Sequence, residues 1–217
     1  MANIIDKTYF EYGDLFLPNI TDPNAGNPED ATTSDLDFFI TEYERVLLMN
    51  ALGIVLYEQL QVALTSLPSA SQKWKDLVDG ITYTNPSGVV KRWEGLKGAN
   101  KQSLVAAFIY TEYLRNKLDT LTTTGVVQND AKNATNLSGV TKLVKAYNKF
   151  LNQYQDEQEV TPRISVNMFG TLGVDYFSSE RATVSLYQFL TDSNDLDKTS
   201  FPDFTFKFYG NLNSLGI

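Results

Sequence analysis

Apolar positions along this chain fall into runs with helical spacing. Leu36, Phe39, Ile40, Tyr43, Val46 and Leu47 step by three and four, which places them on one face of a helix. Thr33 or Ser34 is placed to cap that helix, with Asp35 and Asp37 in its first turn against the positive dipole end. Gly53 interrupts the pattern, residues 54–64 continue it as a second helix or a bent extension, and Pro68 ends it. "SASQKWKDLVDG" predicts a short helix capped near Ser69 or Ser71, with Trp74, Leu77 and Val78 inward and Gly80 as its stop.

Helical spacing then gives way to β-prone residues. "ITYT" and "VVKRW" flank Asn85-Pro86-Ser87-Gly88, whose residue types suit a tight turn, so residues 81–94 predict a hairpin. From Asn100 to about Leu121 the pattern is helical again, with Leu104, Val105, Phe108, Ile109, Leu114 and Leu118 inward. A Thr-rich link follows, then a last long helix from near Asn129 or Ser138 to Gln155, bearing Leu143, Val144, Tyr147, Phe150, Leu151 and Tyr154.

Neither end is helical in pattern. Residues 1–17 carry Tyr9, Phe10, Tyr12, Leu15, Phe16 and Leu17, which fit a strand or an arm docked on the core. Beyond them Pro18, Pro23, Gly26 and Pro28 exclude a regular element. After Gln155 the chain reads as irregular, with Pro162, Gly170 and Gly173, until a brief helix over residues 179–190. The chain ends in "FPDFTFKFYGNLNSLGI", where an extended strand would set Phe204, Phe206 and Phe208 on one face. Those rings either pack on the protein's own bundle or dock on another molecule.

The expected fold is therefore mainly α: a bundle of about five helices with an inserted β-hairpin and extended N- and C-terminal segments. Residues 1–34 form an arm and Pro-rich loop, 35–157 the bundle core with its hairpin at 81–94, and 158–217 a C-terminal extension with a short helix and terminal strand. A length of 217 residues suits one substantial core.

Composition narrows the chemistry. The formal net charge is -8 and there is no histidine, so the charge is flat between pH 6 and 8, and no run of Lys or Arg offers a grip on DNA phosphates. No cysteine is present, which removes disulfides and thiolate chemistry. The start "MANIIDKTYFEYGD" lacks a basic stretch followed by a long apolar one, so no secretory signal is read and synthesis in the cytoplasm is expected. The most apolar stretch, residues 46–57, is about half of the ~20 residues needed to cross a bilayer.

Without histidine, Ser-His-Asp hydrolysis, imidazole-based zinc sites and Glu-x-x-His di-iron sites are excluded. Gly95, Gly98 and Lys101 do not make a phosphate loop, because Asn100 precedes the lysine where glycine is needed. "DSNDLDKTS", with Asp192, Asn194, Asp195 and Asp197, lacks the glycine and bidentate Glu of a calcium loop and reads as a polar helix-ending loop. Glu42 with Glu44, Glu112, and Asp156 with Glu157 are the carboxylates on which a hydrolase would draw; their positions read mostly as solvated helix faces. No cofactor is expected. Trp74, Tyr83, Trp93 and Phe108 read as core, and Trp93, where the hairpin meets a glycine turn, also suits an interface if its edge is exposed.

"NALGIVLYEQL", "WKDLVDGITYT", "RWEGLKG", "AFIYTEYL", "KAYNKFLNQY" and the terminal "NLNSLGI" follow one another in an order that resembles the head-tail connector (adaptor, or neck ring) proteins of tailed bacteriophages infecting Bacteroidota, including the crAss-like phages. The resemblance covers about residues 35–155 plus the tail. It implies a non-enzymatic virion protein assembled as a ring, commonly of twelve copies, below the portal, joining portal to tail and extending the DNA channel. Double-stranded DNA would pass through the lumen without specific binding, and no membrane is involved. Leu52-Gly53-Ile54, Trp74, Gly80, Tyr83, Trp93, Gly95, Leu96, Tyr147 and Asn148 would fix the fold. The "PNAGNPED" loop and residues 160–178 would be insertions contacting other neck or tail proteins. Trp93, Phe201, Phe204, Phe206, Phe208, Tyr209, Leu215 and Ile217 are the residues expected at a subunit or portal interface. The other readings open at this point are a carboxylate-using hydrolase and a helical binding or scaffold module.

Overall fold

A computed structural model describes residues 2–17, 31–122, 125–128, 139–155, 164–166, 172–174 and 183–210, with side chains for 2–17, 36–116, 141–155 and 183–210. The fold is mainly α with a small antiparallel hairpin, as the spacing of apolar residues requires. In chain order the main elements are α1 (Ala31–Leu52), α2 (Ile54–Thr65), α3 (Gln72–Asp79), β1 (Ile81–Thr84), β2 (Val90–Trp93), α4 (Leu104–Leu118), β3 (Asp119–Thr122), β4 (Gly125–Gln128), α5 (Gly139–Tyr154), β5 (Ile164–Val166), β6 (Leu172–Val174) and α6 (Leu186–Leu196).

Helix α4 is the centre of the bundle, packed against α5 and α1. Every residue from Ser103 to Thr111 is buried, so this helix is enclosed on all sides rather than along one stripe. Asn100 does not open it: Asn100 and Lys101 sit at φ 52 and 60 in a 3-10 turn, and Ser103 is the cap. Ser103 Oγ accepts from Val105 N at 3.0 Å and Ala106 N at 3.3 Å and donates to Leu96 O at 2.6 Å. At the other end α4 stops at Leu118 instead of running to Leu121, because the β-branched, glycine-containing "TLTTTGVV" pairs on itself as β3 and β4.

Other boundaries move for similar local reasons. Helix α1 starts at Ala31, so Thr33 and Ser34 lie inside it; Asp30, also a capping residue type, precedes it in sequence. Helix α6 spans Leu186–Leu196 instead of 179–190 and is capped by Ser185, whose Oγ accepts from Gln188 N at 3.2 Å. The β5/β6 hairpin lies in a region expected to be irregular. The Pro-rich loop, residues 160–163, Asp156 and Glu157 lie outside the described residues.

The β1/β2 hairpin pairs Ile81 with Trp93 and Thr84 with Val90, and its base is locked to α3 by two glycines back to back. Gly80 (φ +86) and Gly95 (φ +82) are so close that a Cβ on Gly80 would lie 2.6 Å from Trp93 O, and one on Gly95 2.6 Å from Gly80 N and Val78 O. That approach lets Leu96 N and Lys97 N donate to Leu77 O and Val78 O, both at 3.0 Å, satisfying the last carbonyls of α3.

The N-terminal segment is an arm of two 3-10 turns, Lys7–Phe10 and Gly13–Leu15, rather than a strand. Ile4, Ile5, Phe10, Leu15 and Leu17 join the same core cluster as the bundle and Phe201. Among the described residues no helix is long and apolar enough to cross a membrane.

Candidate interaction surface

Trp93 and Phe201 are core residues of the single chain, 2% and 1% exposed, and present no surface to a partner. The glycine turn after Trp93 folds its indole inward, where it stacks on Phe189 at 5.4 Å and its Nε1–H donates to Leu77 O at 3.0 Å. Phe201 meets Trp74 edge-on at 5.7 Å, and Lys73 holds the preceding carbonyl, of Ser200, at 2.8 Å. Leu215 and Ile217 lie outside the described residues.

Phe204, Phe206, Phe208 and Tyr209 do come together, on an extended strap. Among the described residues, 204–210 pair with no strand; the expected terminal strand is replaced by a backbone held mainly by side chains. Lys207 N donates to Asn50 O at 2.8 Å, and Tyr154 Oη donates to Lys207 O at 3.1 Å. Gln155 grips Tyr209 as a neighbouring strand would: its Oε1 accepts from Tyr209 N and its Nε2 donates to Tyr209 O, both at 2.8 Å. Tyr147 Oη donates to Gly210 O at 2.7 Å.

Alternation along the strap sorts its rings. Tyr209 turns into the bundle, against Phe108, Phe150 and Tyr154 at 5.7, 5.4 and 5.3 Å, and its Oη accepts from Asn50 Nδ2 at 2.8 Å. Burial pushes its phenol pKa up. The even residues gather round Tyr187 of α6, with Phe206 and Phe208 both 5.0 Å from that ring. Phe206 also stacks on Tyr154 at 4.4 Å. Phe204 and Phe206 are half-buried, whereas Phe208 remains 57% exposed. The strap crosses the α1–α2 bend at Gly53, where a Cβ would lie 2.7 Å from Thr205 Oγ1. The glycine thus serves both the bend, at φ +81, and the crossing.

Among the described residues, the candidate carboxylates are each held by a different partner. Glu42 is bound by Arg45 at 2.6 Å and Glu112 by Arg115 at 2.9 Å. Glu44 is not on a solvated face: it is 2% exposed, and its Oε1 and Oε2 accept from Ile4 N at 2.8 Å and Ile5 N at 3.3 Å. Desolvation pushes its pKa up to about 7, against the lowering effect of those two hydrogen bonds. Asp192 belongs to α6 rather than to a loop; it accepts from Tyr83 Oη and Gln188 Nε2, both at 2.7 Å. Burial first, and that bond second, push the Tyr83 phenol pKa up. Among the described residues no group of three Asp or Glu could hold a metal. A cavity of about 430 Å³ beside Trp93, Gln102, Leu104, Gln153 and Val184 contains no such cluster.

Comparison with family models, with curated proteins and with solved structures found no match for this chain.

Proposed function

We propose that this chain is a structural virion protein that forms a ring in the neck of a tailed phage, joining portal to tail and extending the DNA channel. The observation that carries the reading is the order of the segments resembling phage connectors; those from residue 50 to residue 154 pack together in the fold, and the terminal "NLNSLGI" lies outside the described residues. Helix–Gly53–helix, α3, the hairpin, the Trp93–Leu96 turn and α4 follow in that order, with Gly80 and Gly95 fixing the junction. Of the residues that the resemblance assigns to packing, Leu52, Trp74, Trp93, Leu96 and Tyr147 are buried, whereas Ile54 and Asn148 are exposed and do not pack in the core of the single chain.

A ring needs two different faces of the protomer to meet with a rotation that closes. The aromatic strap edge at Phe208 is one such face, and the acidic balance of -8 suits a lumen that repels phosphates so that the genome slides. Portal protein and other neck or tail proteins are the partners, and twelve copies the expected number. Negative-stain images of the purified chain, alone and mixed with the portal protein of the same phage, test this. Rings or portal-capping annuli are expected; monomers in both samples overturn it.

A further inference from the structure

The strap has the features of an exchangeable element. Its anchor, Phe201, is fixed in the core between Trp74 and Phe189. Two residues later Asp203 adopts φ 55, a left-handed conformation that L residues other than glycine enter at a cost, directly after Pro202. From residue 204 onward the strap is held by Asn50, Tyr147, Tyr154 and Gln155, all outside its own segment and mostly through its backbone. Every one of those bonds can be made equally well by the groove of an identical copy. Short strained hinges favour such exchange, because opening the hinge relieves the strain while the docking contacts are kept.

We propose that in the assembled protein the strap, residues 204–210, swings about Pro202–Asp203 and docks in the groove of a second copy of this chain. The occupant is a copy because the groove's fit is already made to this strap: Tyr209 fills the space between Phe108 and Phe150, and Gly53 leaves room for Thr205. With so short a hinge the two bodies must meet along the strap's outer edge. That contact covers Phe208 and the half-buried Phe204 and Tyr187, which the closed monomer leaves in water. Each copy donates one strap and receives one, a head-to-tail relation that gives a closed ring when the rotation permits. The inference deepens the ring proposed above and rests on it only in that copies of the chain assemble.

The chain has no cysteine, so introduced thiols are unique. Tyr187→Cys with Phe208→Cys marks groove and strap on their exposed side, where the native rings lie 5.0 Å apart. Full-length double variant is prepared in light and ¹⁵N-labelled forms, mixed, unfolded, refolded together and treated with a short thiol-bridging reagent. Mass spectrometry then reads whether each linked peptide pair is isotopically pure or mixed. Exchange predicts mixed pairs, approaching about half of all links at high concentration, since each strap then finds a light or heavy groove at random. Adding Asp203→Val, which disfavours the closed hinge because β-branched residues avoid positive φ, raises the mixed fraction at any given subsaturating concentration. Pure pairs alone, at every concentration and in both variants, overturn the exchange, as does the absence of links. Mixed pairs in particles that are not rings uphold the exchange and count against the neck ring; rings with only pure pairs do the reverse.

Discussion

Replacing Glu44 by glutamine converts a burial argument into a measurable pH dependence. The carboxyl is 2% exposed inside α1 and holds the arm through Ile4 N and Ile5 N. Its folded pKa is pushed up to about 7 from 4.5, so burial disfavours the charged form more than the two hydrogen bonds favour it. The sign follows from linkage: with the folded value raised, the stabilisation is fully present below pH 4.5 and is lost as pH rises to about 7. At 1.36 kcal/mol per pH unit, the gap between 4.5 and about 7 corresponds to about 3 kcal/mol. Histidine is absent, so few other groups titrate in this window. Glutamine stays neutral but sets its Nε2 donor against one arm N–H, a loss of about 1 kcal/mol at every pH. Urea unfolding at intervals from pH 4.5 to 8.5 therefore has the wild type ahead by about 1 kcal/mol at the acid end and behind by about 2 at the alkaline end. Parallel stability curves for the two proteins would refute the reasoning, because they would mean that Glu44 titrates alike in the folded and unfolded chain.

Three further substitutions probe the junction, the central helix and the strap. Gly95→Ala puts a methyl 2.6 Å from two backbone atoms at φ +82 and costs about 3 kcal/mol or more, whereas Gly88→Ala, at φ +80 in open space, costs about 1; thermal melts compare them. Ser103→Ala removes the cap of α4 and the bond to Leu96 O, lowering stability by about 1–2 kcal/mol in denaturant unfolding. Tyr209→Ala empties the space beside Phe108 and Phe150, costs about 2 kcal/mol, and makes residues 204–210 newly sensitive to limited proteolysis while the bundle stays intact.

Long amphipathic segments were legible because burial along one helix face imposes a three-and-four spacing that the side chains must display. That is why α3, the hairpin and the Gly53 and Gly80 breaks stand where the residues place them, and α1 differs only in starting at Ala31, ahead of the expected cap. Helix α4 was read as one-faced because periodicity reports which side is polar, and "LVAAFIY" has no polar side: only packing reveals that it is central. Glu44 was assigned to solvent by its charge, yet it falls between Ile40 and Leu48 on the apolar stripe, and that position was the signal for burial. Trp93 was left between core and interface since nothing local tells which way a glycine turn folds an indole. The strap was read as a strand from its alternation of rings, which does carry over to the fold. What alternation does not specify is the partner, and here side chains such as Gln155 take the place of a second strand.

The proposed neck ring is tested most directly by a cryo-EM reconstruction of the neck of the tailed phage to which the proposal assigns this chain. A ring of copies below the portal is expected, twelve in number, in which the α3–hairpin–α4 unit fits the density and each terminal strap enters the groove of the adjacent copy. A neck whose density is accounted for by other proteins, with this chain missing from the purified virion, would contradict the account.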